Sequence, residues 1–184
     1  QELSEGEILQ LGNIGKEDFS EEAYFDVIRK KTAALFKASS QSGAVSVGAV
    51  QEEVMKAGLL GEMIGIAFQI KDDIFDYFES SELGKPTGND MLEGKLTLPA
   101  LYVLNQTGDD SLKQTALKIR SLEASKEEIA NFVETVKEKG GIEYATRMMY
   151  EFRDKALALV PASADSSLKE ALTAYIDYVI ERNK

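Results

Sequence analysis

Phe68-Gln69-Ile70-Lys71-Asp72-Asp73-Ile74-Phe75-Asp76 sets three aspartates inside a stretch that otherwise reads as a buried helix. From about Gln51 to Phe78 there is no proline, while Ile, Leu, Met, Ala and Phe abound over a length no ordinary strand reaches, so the segment is predicted to be helical. At about 100° per residue, Val54, Gly58, Gly61, Gly65, Phe68, Gln69, Asp72 and Asp76 share one side. Leu59, Met63, Ile66, Ile70, Ile74 and Tyr77 share the other. The pattern predicts a helix packed on its apolar back, whose glycine-rich and then acidic front forms a cavity wall with carboxylates at its C-terminal mouth. Asp72 and Asp76 lie one turn apart. Two such charges about 6 Å apart repel by roughly 3 kcal/mol at an effective dielectric near 20. Such a row either holds protons at raised pKa, recruits a cation, or is simply an acidic helix end solvated at a loop.

The 184 residues contain neither histidine nor cysteine, which excludes the usual zinc, copper and iron ligand sets. All-oxygen ligation favours Mg²⁺, Mn²⁺ or Ca²⁺. The loop-borne spacing of a calcium-binding EF-hand is missing. Magnesium keeps several waters and binds one or two carboxylates plus substrate phosphates, which suits a helical carboxylate row facing a cleft.

Working outward, the acidic row is followed by Ser80 to Asp90, rich in helix-breaking residues. Lys85 and Lys95 follow Gly84 and Gly94, so backbone can approach an anion beside a point charge. Upstream, a helix is expected from about Glu21 to Ala38, with Tyr24, Ile28, Leu35 and Ser39 on one face. Lys31 and Thr32 lie within about 60° of that face's centre, whereas Lys30 and Lys37 point to water. An inward lysine can snorkel to the surface or, beside a threonine, bind an oxyanion.

These segments together resemble the trans-polyprenyl diphosphate synthases, the family of head-to-tail isoprenoid chain-elongating enzymes. Phe68 to Asp76 is similar to that family's second aspartate-rich motif, and Lys31-Thr32-Ala33-Ala34-Leu35-Phe36 resembles its lysine-threonine motif. Gly84-Lys85-Pro86-Thr87-Gly88-Asn89-Asp90 and Glu93-Gly94-Lys95-Leu96-Thr97-Leu98-Pro99 match the loop that follows. Glu5-Gly6-Glu7-Ile8-Leu9-Gln10 has the form usual for medium- and long-chain members, such as octaprenyl synthases. The resemblance covers Glu5 to Pro99 in order.

The resemblance implies an all-α isoprenoid-synthase bundle around a deep apolar cavity, of which residues 1–184 form one helical domain, the C-terminal part. It implies a homodimer that condenses isopentenyl diphosphate with an allylic diphosphate, using Mg²⁺, with Mn²⁺ as a substitute, while the composition is that expected of a cytoplasmic domain. By the same resemblance, Asp72, Asp73 and Asp76 hold metal, and Lys31, Lys85 and Lys95 contact the allylic diphosphate. Thr32 and Gln69 turn oxygens toward the cation, and Phe68 lines the isopentenyl side. No first aspartate-rich motif with nearby arginines is present, and the first matching segment begins close to Gln1. A fragment unable to turn over by itself is therefore expected. The rival readings are a catalytically silent subunit of a hetero-oligomeric prenyl synthase, which would tend to lose these aspartates, and a terpene cyclase.

A formal charge of −11 argues against nucleic acid as a partner and makes a divalent bridge nearly obligatory for an anionic substrate. No apolar run suits a membrane span. Elsewhere, helix starts are expected at Ser20, near Thr97 and Pro99, at Asp109, at the Ser125/Glu128 capping box, near Glu143, and at Ser167. A break is expected around Ser39 to Gly48. The stripe Leu168, Leu172, Tyr175, Ile176 and Val179 reads as core.

Overall fold

The computed structural model describes residues 2–13, 19–78, 87–162 and 164–182. Its elements are α1 (Glu2–Asn13), α2 (Glu21–Ile28), a π-helical turn (Arg29–Ala33), α3 (Ala34–Ser46) and α4 (Gln51–Phe75). They continue with α5 (Asn89–Leu92), α6 (Leu98–Thr107), α7 (Asp110–Arg120), α8 (Lys126–Glu138), α9 (Gly141–Ala158) and α10 (Ser166–Glu181). Among the described residues there is no strand.

Helix α4 is the central rod, packed against α3, α9 and α10. Its Ile64, Ile66, Ala67, Ile70 and Ile74 enter the larger core with Leu98 and Leu101 of α6, Ala145 and Met149 of α9, and Ile176 and Ile180 of α10. Each buried isoleucine contributes about 1.5–3 kcal/mol relative to its exposed state. A second core joins Met91 to α6, α7 and α8 through Val103, Leu104, Ile119, Phe132 and Val136.

The glycine side of α4 is a packing face rather than an open wall. Gly58, Gly61 and Gly65 are buried, and a Cβ on Gly65 would lie 2.6 Å from Ala33 Cα. The missing side chains let α3 lie against α4 at backbone distance, which is why the small residues line up. Leu59, expected inside, is exposed.

The π-helical turn explains a second departure. Its extra residue rotates the chain that follows, so the inward row set by Tyr24, Val27 and Ile28 continues through Ala33 instead of Leu35. Leu35 is 61% exposed. The expected break before α4 is confined to residues 47–50, and α10 is capped by Asp165, which accepts from Leu168 N at 2.8 Å, two residues before the expected Ser167. Ile176 and Val179 of the α10 stripe are buried, but Leu168 and Tyr175 are exposed. The remaining starts agree: Ser20 caps α2, Asp109 caps α7, and Ser125 and Glu128 form a capping box on α8.

Candidate functional site

The end of α4 divides its polar side chains among three neighbours. On the side toward α2, Thr32 Oγ1 donates to Gln69 Oε1 at 2.7 Å, and Gln69 Nε2 donates to Asp73 Oδ1 at 2.9 Å. Tyr24 OH donates to Asp73 Oδ2 at 2.6 Å. Asp73 is 4% exposed, and burial pushes its carboxyl up to about 7 against the lowering effect of the Tyr24 and Gln69 hydrogen bonds. Burial also raises the Tyr24 hydroxyl well above its usual value, with Asp73 adding to the effect.

On the side toward α10, Asp72 Oδ1 accepts from Arg182 Nη2 at 2.5 Å, and the Arg182 guanidinium lies 3.8 Å from the Phe68 ring centre. At the tip, Asp76 accepts the backbone N–H groups of Asn89 and Asp90, both at 3.0 Å, and so caps α5 behind the left-handed Gly88. The three aspartates therefore do not converge, and among the described residues they form no cluster able to hold a metal ion as arranged. Asp72 differs from the other two in having a partly exposed side chain that pairs with the Arg182 side chain. That carboxylate fits the one- or two-carboxylate habit of magnesium, whereas both oxygens of Asp73 and of Asp76 are engaged in holding the fold.

Beside the Asp73 network lies a cavity of about 150 Å³, lined by Tyr24, Lys31, Thr32, Gln69, Asp73 and Lys95 together with Gln10, Asp90 and Arg120. Four residues singled out in the sequence, Lys31, Thr32, Gln69 and Lys95, thus meet on one wall system, along with Asp73. Phe68, Asp72 and Asp76 lie off that lining. Lys85 lies outside the described residues. Lys95 is paired with Glu93 and stands 3.9 Å from Asp90. Burial opposes its charge, yet Glu93, Asp90 and Glu7 together raise its ammonium above the usual lysine value.

Sequence reasoning singled out the segment holding Glu7 and Gln10 without giving either a role, placed Tyr24 on an inward face without a partner, and missed Arg120 and Arg182. Arg120 reads as an ordinary basic last turn of α7, yet it is 7% exposed, with its guanidinium 4.7 Å from the Phe19 ring centre. Local spacing carried no signal for these residues. Their partners are distant in sequence: Tyr24 and Asp73 are 49 residues apart, Arg182 and Asp72 110.

Solved structures share this arrangement of helices and define the class: an all-α isoprenoid-synthase fold. The chain is 57% identical to a geranylgeranyl pyrophosphate synthase from Bacteroides thetaiotaomicron, covering 99% of this chain and 60% of that one with a TM-score of 0.94. It is 31% identical to a decaprenyl diphosphate synthase from Rhodobacter capsulatus, covering 100% and 57% at a TM-score of 0.88. Residues 1–136 match the family model for polyprenyl synthetase, and the chain belongs to that family. Among curated relatives, an octaprenyl diphosphate synthase of Escherichia coli is 32% identical over 183 residues, which are 99% of this chain and 56% of that protein. The chain spans a little over half the length of the curated relatives it matches.

Proposed function

We propose that this chain serves head-to-tail prenyl transfer, in which isopentenyl diphosphate and an allylic diphosphate join by ionisation, condensation and proton loss to give a polyprenyl diphosphate. The observation that carries the reading is the meeting of Lys31, Thr32, Gln69 and Lys95, from three separate segments, around one cavity that Asp73 also lines. Its volume of about 150 Å³ leaves room for a diphosphate head.

In this reading Lys31 and Lys95, joined by Lys85, bind the anionic oxygens of the allylic diphosphate and stabilise it as it departs. The Thr32–Gln69 pair presents oxygen atoms toward the allylic carbon. Phe68 lines the isopentenyl side, its ring covered by Arg182. Asp72 takes the direct metal contact, while Asp73 and Asp76 support it by fixing the end of α4 to α2 and to α5. Mg²⁺, or Mn²⁺ in its place, would supply Lewis-acid stabilisation of the charge that develops on the leaving diphosphate.

No helix among the described residues is long and apolar enough to cross a membrane. We place the enzyme in the cytoplasm with a second copy of itself as partner. A relative from Geobacillus stearothermophilus carries the name heptaprenyl diphosphate synthase component 2, the alternative of a two-component assembly. The intact Asp72, Asp73 and Asp76 favour the catalytic role over a silent one.

The test is elongation of an allylic primer with isopentenyl diphosphate and Mg²⁺ by the full-length protein. Longer prenyl diphosphates are expected, and Lys31→Ala should slow the reaction by about a hundredfold or more. An unchanged rate for Asp72→Ala would overturn the metal assignment.

A further inference from the structure

Lys31 does not stand in the cavity wall unsupported. Its ammonium is 3.0 Å from Glu7 Oε1 and donates to Gln10 Oε1 at 3.0 Å, both on α1. Residues 7 and 10 are one turn apart, so a single face of α1 presents both acceptors. An ammonium has three N–H donors and no acceptor. With two donors held from α1, the direction of the third is fixed, and Lys31 is at the same time a lining residue of the cavity.

The backbone on both sides is built for this grip. Gly6 is buried, and a Cβ there would lie 2.9 Å from Lys31 N and 3.1 Å from Lys30 Cβ, so α1 touches the chain at the base of the lysine itself. Lys31 sits in the π-helical turn, whose wider winding re-aims the side chains it carries. Lys30, the neighbouring lysine, is turned instead to Glu5 at 3.0 Å. Two successive lysines are thereby sorted, one to the surface side of α1 and one to the cavity. The Lys31–Glu7 pair is half-exposed, so its effect on stability is small and its effect on direction is the larger one.

We propose that Glu7 and Gln10 are positioning residues that aim the Lys31 ammonium at an anionic oxygen in the cavity. The inference rests on the diphosphate reading of that cavity given above. Gln10 is the sharper probe, because removing it changes no charge. Glu7 supplies the second acceptor and balances the lysine while the cavity holds no anion.

The experiment is isothermal titration of inorganic pyrophosphate with Mg²⁺ into the chain and four variants: Gln10→Met, Gln10→Glu, Lys31→Met, and the Lys31→Met/Gln10→Met pair. Thermal midpoints are recorded for each. Gln10→Met is expected to weaken binding by about three- to tenfold, the loss of one orienting hydrogen bond. Gln10→Glu, which keeps an acceptor, should restore affinity to within about twofold. In the Lys31→Met background, Gln10→Met should change nothing further, as required of a residue that acts through Lys31. If Lys31→Met weakens binding while Gln10→Met does not, or if Gln10→Met acts equally with and without Lys31, the positioning role is overturned and the diphosphate reading stands. If Lys31→Met leaves binding unchanged, or the unaltered chain takes up no pyrophosphate, the diphosphate reading itself falls and the positioning role with it.

Discussion

The hydroxyl of Tyr24 donates to Oδ2 of Asp73 across 2.6 Å, joining α2 to the end of α4 inside a site where both side chains are almost wholly removed from water. Gln69 serves the other carboxylate oxygen and is itself served by Thr32, so four side chains form a continuous chain of hydrogen bonds. The middle of the aspartate row is thereby a structural joint as well as part of the acidic mouth.

Asp73 should leave a signature in the pH dependence of stability. Its carboxyl titrates at about 7 when folded, against about 4 when unfolded, so folding is favoured while the group holds its proton. That contribution is fully present below about pH 4, is lost as pH rises toward about 7, and changes no further above it. Urea unfolding in chelator, compared with Asp73→Asn, should show the variant gaining on the parent across that window; parallel curves would contradict the assignment.

Arg182 should compete with metal for the Asp72 carboxylate. The pair is partly exposed, so its loss is worth little to stability. Arg182→Ala is expected to raise Mg²⁺ affinity by about two- to fivefold in a calorimetric titration. Asp72→Ala should remove most of the binding. Equal affinity in Arg182→Ala and the parent would mean that the arginine does not oppose the cation.

Gly65→Ala tests the packing face of α4. The new methyl would meet the Ala33 backbone at 2.6 Å and the Phe36 ring at 3.0 Å, neither of which can withdraw without moving the π-helical turn. A loss of about 1–3 kcal/mol is expected, read as a lowered thermal midpoint. A variant as stable as the parent would show that the α3–α4 contact is looser than described.

Asp76→Ala removes the carboxylate that holds the N–H groups of Asn89 and Asp90. Loss of such a cap costs about 1 kcal/mol. Amide exchange should accelerate at residues 89–95 while Ile66 and Ile70 in the α4 core stay protected. Uniform acceleration throughout would point to global destabilisation instead.

Periodicity made α4 legible from the sequence alone, and punctuation by Ser20, Asp109, Ser125 and Glu128 made three further helix starts legible, because caps and turns depend on residues within a few positions of one another. The gathering of Lys31, Thr32, Gln69 and Lys95 followed from resemblance, and the cavity brings them together. What failed was the direction of faces. One extra residue in the π-helical turn sent Leu35 to the surface, and the glycines of α4 turned out to serve a close helix contact. Simple 100° bookkeeping contains neither a local change of winding nor the identity of the neighbour.

The sequence by itself determined that this protein is helical, where most helices begin, and that three aspartates close the longest of them. Only the tertiary structure decided what each aspartate does: Asp73 is shut in with Tyr24, Asp76 caps a short helix, and Asp72 faces Arg182. The reason is the range of the forces concerned. Helix propensity and capping act within a turn or two, whereas the solvation and pairing of a carboxylate depend on whichever distant segment packs against it.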